Sequence, residues 1–134
     1  LCGSRGSVGR IIDHFRNPAT GMVGWRPSFR AAAPYWMENR ARVEALARRL
    51  GGEGPPPLGF FEGSMFWFRP AAFARLKSLA LGPDDFEAEA GQTDGTLHHA
   101  LERLFTVAAW ASGYEVRALD GGTLAGTVAA PAVS

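Results

Sequence analysis

The stretch from residue 60 to residue 68 constrains the fold more than any other part of this sequence. In an extended strand its large apolar side chains would point to both faces, with Phe61, Met65 and Trp67 on one face and Phe60, Phe66 and Phe68 on the other. Such a strand belongs inside a sheet that is covered on both sides. Arg69 and Pro70 end it, because proline has no amide donor for a sheet. We therefore predict a buried central strand, packed between two layers.

A second distinctive stretch, residues 91–102, predicts a loop that leads into a helix. Turn-forming residues are followed by apolar residues at helical spacing, up to a stop near Gly113: Leu97, Leu101, Leu104, Phe105 and Ala108. The helix should have about four to five turns at roughly 3.6 residues each. Its first turn gathers exposed amide donors, a carboxylate and two imidazoles at the positive end of the helix dipole, around Thr93, Asp94, Thr96, His98 and His99.

The rest of the pattern predicts an α/β domain with a small mixed sheet flanked by about four helices. Helices are expected near Ser7, Met37, Pro70 and Thr96, with Ser7 as an N-cap. Further short strands are expected at residues 21–25 and 114–117. We interpret the glycine- and proline-rich residues 51–57 as a loop, since a boundary there would leave neither half enough core. The prediction is one domain over residues 1–119 and a loosely ordered tail over residues 120–134.

Composition narrows the classes of protein to consider. A formal net charge of +1 provides no overall field to attract nucleic acid, so we expect no nucleic-acid partner. The single cysteine, Cys2, excludes an internal disulfide and a cysteine-based zinc site, and fits a reducing cytoplasm. No run approaches the roughly twenty apolar residues of a membrane span, and no signal-peptide pattern is present. A start at Leu1 instead of methionine indicates a fragment of a longer protein.

Two runs of sequence carry a resemblance to a known family. Residues 63–70 read Gly-Ser-Met-Phe-Trp-Phe-Arg-Pro, and residues 89–103 read Glu-Ala-Gly-Gln-Thr-Asp-Gly-Thr-Leu-His-His-Ala-Leu-Glu-Arg. Together they closely resemble the rhamnan synthesis protein F family, which is linked to bacterial surface polysaccharide assembly. The likeness runs from about Val8 to Tyr114 and is specific in these two runs.

The resemblance implies the acceptor-side half of a GT-A-type glycosyltransferase. The expected partners are a nucleotide-sugar donor, such as dTDP-rhamnose, and a growing glycan acceptor at the inner face of the cell membrane. The family's acidic nucleotide-sugar motif would lie upstream of this chain, and a divalent cation, Mg²⁺ or Mn²⁺, would be shared with it. The alternative from another class is a non-catalytic module that binds glycan or has a structural role in a longer polysaccharide-assembly protein.

Asp94 is the candidate catalytic residue. Inverting glycosyl transfer needs a carboxylate to take the proton of the acceptor hydroxyl, and the resemblance supports such a base on a late acidic loop. The alternative is that Asp94 caps the last helix by accepting amide hydrogens from Thr96 or Leu97. Glu87 and Glu89 are reserve candidates, each with the alternative of a solvated loop residue.

The remaining candidates would contact substrate. His98 and His99 point about 100° apart on a helix, so one of them would bind phosphate or a metal beside Asp94, while structural pairing of His98 with Glu102 or of His99 with Arg103 is the alternative. We expect Gly63 and Ser64 to leave room for a sugar, Trp67 to stack on it unless it is a core residue, and Arg69 to bind the diphosphate. Thr93 completes the candidate set.

Overall fold

The computed structural model describes residues 3–128, which fold into an α/β domain as predicted. The α-helices are α1 (Arg5–Arg16), α2 (Arg40–Arg49) and α3 (Leu97–Ala111), and a long 3₁₀ helix spans Pro70–Leu79. The strands are β1 (Thr20–Gly24), β2 (Phe29–Arg30), β3 (Phe60–Phe61), β4 (Phe66–Phe68), β5 (Glu115–Ala118) and β6 (Thr123–Leu124). Shorter 3₁₀ turns lie at Arg26–Ser28, Ala33–Trp36, Glu62–Ser64 and Pro83–Asp85.

A mixed sheet of four strands organises the domain. Its order is β4-β1-β5-β6, with β1 and β5 parallel and the outer strands antiparallel to their neighbours. Strand β1 is buried along its whole length, which fits a run of small and apolar residues at the centre of a sheet. Strands β2 and β3 form a separate two-stranded ribbon.

Two apolar clusters share helix α3. One lies among α2, α3 and the long 3₁₀ helix and includes Val43, Leu79 and Leu104. The other lies between α3 and the sheet, where Phe66, Phe73 and Phe105 pack ring against ring with centroids 5.3–5.8 Å apart. Because α3 is apolar around much of its circumference, it becomes the central helix of the domain.

The prediction of one continuous central strand over residues 60–68 is wrong. Gly63 and Ser64 have positive φ values of 80° and 55°, which turns the chain between β3 and β4. Strand β4 then runs along the edge of the sheet, and Trp67 is 40% exposed. The ring of Phe61 from β3 instead covers the backbone of Gly24, at a place where a Cβ atom would collide with it.

The two ends of the domain also differ from the predictions. Helix α1 begins earlier than expected, and its N-cap is Ser4, whose side chain accepts the amide of Ser7 at 3.1 Å. The expected loose tail is wrong for residues 120–128: β6 pairs with β5, and Thr127 exchanges two backbone hydrogen bonds with Leu58. The other tail residues and Cys2 lie outside the described residues. Within the described chain, no helix has the length and apolar character needed to cross a membrane.

Candidate functional site

The two distinctive stretches of sequence meet beside the first turns of α3. The backbone amide of Gly63 donates to Oε1 of Glu102 at 2.6 Å, and the Glu102 side chain is only 18% exposed. The positive φ of Gly63 turns the chain at this point, within the turn that presents the amide to the helix. The 3₁₀ turn Glu62–Ser64, which carries Gly63 and Ser64, is therefore fastened to α3 by a carboxylate.

Arg103, the next residue along α3, is a buried cation. It is 3% exposed, and its guanidinium donates to the carbonyl of Tyr35 at 2.7 and 2.9 Å and to the carbonyl of His99 at 2.8 Å. The guanidinium also lies 4.4 Å from the ring centroid of Phe60. Burial lowers the pKa of Arg103, while the negative charges of Glu102 and Asp94 oppose that shift. Arg103 thus provides the positive charge between the two carboxylates.

Asp94 is half-buried in the loop that precedes α3 and binds the start of α2. Its Oδ2 accepts the amide of Glu38 at 3.0 Å, and its Oδ1 accepts Nδ2 of Asn39 at 2.5 Å. Burial by itself would raise the pKa of Asp94, but these hydrogen bonds and that from the Gly95 amide outweigh burial and lower it. Asp94 is therefore an ionised carboxylate that holds two segments together.

The prediction that Asp94 caps α3 is wrong, because Thr96 is the N-cap residue. The Nδ1 atom of His99 lies 2.7 Å from the hydroxyl of Thr96 and accepts the Thr96 amide at 3.4 Å, which completes a capping box. The amide of Leu97, the first residue of α3, donates instead to Glu87 at 2.9 Å. His99 is thus engaged in the helix cap.

Glu87 joins the loop to both neighbouring helices. Its second oxygen pairs with Arg42 of α2 at 2.5 Å. The amide of Leu97 and the guanidinium of Arg42 lower the pKa of Glu87 to about 2. Glu87 lies exposed in the loop, as the solvated alternative expects, and it also ties the loop to both helices.

An open cavity of about 210 Å³ lies beside this loop. Every residue that lines this cavity has a polar side chain: Glu87, Glu89, Gln92, Thr96, His98 and His99. His98 is exposed and its ring packs on Phe86 with centroids 4.6 Å apart, so it does not form the expected pair with Glu102. Thr93 is exposed in the same loop, next to Asp94.

Arg69 lies away from this region and has a structural role. Its guanidinium donates to the carbonyls of Phe15, Thr20 and Asn17 at 2.7, 2.9 and 3.2 Å. These bonds bind the end of α1 to the start of β1. Its donors on Nε and Nη2 are thus engaged by the backbone, and the expected contact of Arg69 with a diphosphate stays a prediction.

Three residues of the site were missed from the sequence: Asn39, Glu102 and Arg103. Of these, only Arg103 could have been recognised from the sequence, because it falls three residues after Ala100 on the buried face of α3. A charged residue at such a position is rare unless it has partners. The partners of Asn39 and Glu102 come from segments 55 and 39 residues away, which no local pattern reveals.

The donor groups of this region do not form a metal site by themselves. In the part of the chain that the structure describes, no three His, Cys, Asp or Glu side chains are close enough to share an ion. Both oxygens of Asp94 accept N–H donors, and Nδ1 of His99 is occupied by the helix cap. These residues by themselves therefore do not supply a metal-dependent step.

Comparison with known proteins places the chain in a family. The chain is 32% identical over 115 residues to the uncharacterized protein WxcX of Xanthomonas campestris pv. campestris, in each of two strains. The match covers 84% of this chain but only 16% of the WxcX protein. No solved structure matches the chain. A family model described as rhamnan synthesis protein F matches residues 6–114, and the chain belongs to the rhamnan synthesis protein F family.

Proposed function

We propose that this chain is the acceptor-side half of a glycosyltransferase domain in bacterial surface polysaccharide synthesis. The donor would be a nucleotide-sugar such as dTDP-rhamnose, and the acceptor a growing glycan at the inner face of the cell membrane. A divalent cation and the acidic motif that holds it would come from outside this chain. The family is named for the synthesis of rhamnan, a polysaccharide, and this supports the class of product.

The observation that carries this proposal is the contact between two sequence blocks, residues 63–70 and residues 89–103. The hydrogen bond from Gly63 to Glu102 joins the turn of the first block to the helix of the second, and Arg103 links that helix electrostatically to Asp94. The small residues Gly63 and Ser64 of this turn are exposed, and Gly63 contacts the carboxylate of Glu102. That arrangement suits a ligand that is rich in hydroxyl groups.

Asp94 remains the carboxylate that we propose as the base. It is ionised at neutral pH, as a proton acceptor must be, although its lowered pKa also makes it a weaker base. A carboxylate offers about four lone-pair sites, so the hydrogen bonds to Glu38, Asn39 and Gly95 still leave room for an acceptor hydroxyl. The same bonds fix the direction in which the carboxylate points.

A second candidate function is a non-catalytic glycan-binding or structural module. It is favoured by the engagement of Asp94, Arg69 and Glu87 in the fold, since each of these charged groups has a structural partner. The chain also spans about a sixth of the WxcX relatives that it matches. In this case the rest of the longer protein would supply the chemistry.

Calorimetric titration separates the two functions. This chain and the longer native polypeptide are each titrated with dTDP-rhamnose, with UDP-sugars and with free nucleotides, in the presence and absence of Mg²⁺ or Mn²⁺. The proposal expects saturable binding of a nucleotide-sugar by the longer protein. Asp94→Asn is compared with Asp84→Asn, since Asp84 is an exposed aspartate of a neighbouring turn. An absence of binding by both polypeptides would contradict the transferase function and leave the module.

A further inference from the structure

We propose that Trp25 is a platform on which a sugar ring of the glycan acceptor stacks. The ring would lie in a groove of about 600 Å³, which we call the Trp25 groove, and the residues of its lining that matter are Ser7, Arg10, Trp25, Ser28, Glu62 and Met65. This size falls within the roughly 300–1,000 Å³ of small-molecule sites. The inference rests on the proposed function, because it takes the glycan as the occupant.

The Trp25 groove lies where the two parallel strands end. Trp25 directly follows β1, and Leu119, which also lines the groove, directly follows β5. The amide of Leu119 donates to the carbonyl of Gly24 at 2.8 Å and holds the two strand ends together. In open sheets with parallel strands, ligands bind outside the carboxyl ends of those strands. The groove therefore occupies the edge of the sheet where a ligand is expected.

Trp25 is exposed but held in place by its backbone. Trp25 is 58% exposed, although β1, the strand before it, is fully buried. The carbonyl of Trp25 accepts both the amide of Ser28 at 3.0 Å and the hydroxyl of Ser28 at 2.8 Å. Met65, on the same groove, is 64% exposed. An indole on a hydrogen-bonded turn and a thioether thus present apolar surface to solvent.

The polar groups of the groove favour a neutral ligand that carries hydroxyl groups. Arg10 and Glu62 contribute opposite charges, and Glu62 is already paired with Arg30 at 2.8 Å. Arg10 also lies 3.4 Å from the hydroxyl of Ser7. The lining itself thus carries one positive and one negative side chain and offers both donors and acceptors to hydroxyl groups, and Arg30, the partner of Glu62, adds a positive charge beside it. A pyranose has an apolar face for an indole and a rim of hydroxyls for such groups.

The Glu62–Ser64 turn borders the groove and is hydrogen-bonded to the candidate site. Glu62 lines the groove, and its neighbour Gly63 is bonded to Glu102 of α3. A glycan that stacks on Trp25 would therefore extend toward the turn that joins the two sequence blocks. In this arrangement Trp25 is a positioning residue for the acceptor.

The test uses the pair Trp25→Ala and Tyr35→Ala, because both aromatic rings belong to exposed residues but only Trp25 lines the groove. The probes are rhamnose oligosaccharides of two to four units and, separately, dTDP. Binding is followed through the indole N–H resonances of the four tryptophans in this chain and in the longer native protein. Saturable oligosaccharide binding should shift the Trp25 resonance, Trp25→Ala should weaken binding by about tenfold or more, and Tyr35→Ala should change it less than twofold.

Three results would overturn the inference. These are unchanged affinity in Trp25→Ala, an absence of saturable oligosaccharide binding, and a shift of the Trp25 resonance by dTDP but not by oligosaccharide. If the longer protein still binds or transfers the nucleotide-sugar in any of these cases, the proposed function stands and only the role of Trp25 fails. If transfer is also absent, both fail. Trp25→Phe should restore part of the affinity, because a smaller ring keeps a stacking face.

Discussion

The two sides of helix α3 are stabilised by different forces. On the sheet side, formed by α1, β1, β4 and β5, aromatic rings pack together and Arg69 binds neutral backbone carbonyls. On the loop side, formed by residues 80–96 and the first turns of α2 and α3, the carboxylates of Glu87 and Asp94 bind backbone amides. Only the second kind of contact depends on ionisation of a carboxyl group. We therefore expect the sheet side to be insensitive to acid and the loop side to loosen in acid.

The largest predicted effect is in Phe61→Ala, because Phe61 belongs to β3 but its side chain packs in the apolar cluster of the sheet side. Phe61 is fully buried, and its ring covers Gly24 and packs on Phe29. Its removal leaves a cavity and should lower the free energy of unfolding by about 3–5 kcal/mol. Denaturant unfolding should give the same loss at pH 7 and at pH 4. A loss that changed strongly between these pH values would break the comparison.

Arg69→Ala should lower the free energy of unfolding by about 2–3 kcal/mol, because three carbonyls lose a charged donor. Arg69→Lys is the control, since it keeps the charge but cannot bind all three carbonyls in the same way. It should recover only part of the loss in thermal unfolding. Full stability of Arg69→Ala would show that the guanidinium is not a structural tie, and would reopen its role as a phosphate contact.

Glu102→Ala should cost about 1.5–2 kcal/mol, because the amide of Gly63 and the buried Arg103 both lose their carboxylate partner. Hydrogen exchange of the Gly63 amide should become faster in this variant. Glu102→Gln keeps an oxygen acceptor and should show an intermediate rate. Unchanged exchange at Gly63 in Glu102→Ala would contradict the link between the two blocks.

The smallest effect on stability at pH 7 is expected for Glu87→Gln. This variant is nevertheless the most informative about how stability is lost in acid. Because the folded pKa is lowered from 4.5 to about 2, the ionised carboxylate stabilises the fold fully above pH 4.5. This stabilisation is lost as the pH falls from about 4.5 to about 2. The stability gap between the native protein and Glu87→Gln should therefore shrink over that range. Glu89→Gln, whose carboxylate accepts only the nearby Gly91 amide, should show a much smaller gap.

Helix α3 shows what periodicity alone can predict. Leucines at positions 97, 101 and 104 fix both the helix and its boundaries, because local spacing decides which face is apolar. The α/β class follows in the same way from helices that alternate with short apolar strands. By contrast, the break at Gly63 was missed, since six large apolar side chains outweighed one glycine in the pattern. Glu102, which accepts the amide of Gly63, is 39 residues away in the sequence, so no residue near Gly63 indicates this bond.

The candidate site was predicted less well than the fold. Its two blocks do come together, but the charged residues within them have partners that only the tertiary structure reveals. Asp94 binds Asn39 and Arg69 binds the end of α1 through contacts more than 50 residues apart in sequence. A charged side chain in a distinctive motif can thus serve the fold as well as a ligand. The sequence pattern could not separate the two uses.

Transfer of labelled rhamnose from dTDP-rhamnose to a glycan acceptor by the longer native protein tests the central claim most directly. The account predicts measurable transfer that falls about a hundredfold or more in Asp94→Asn and is retained in Asp84→Asn. Asn39→Ser removes one of the bonds that direct Asp94 but keeps the carboxylate, so it should lose clearly less transfer than Asp94→Asn once folding is confirmed. Equal loss in Asn39→Ser and Asp94→Asn, or full activity in Asp94→Asn, would contradict the role of Asp94 as the base.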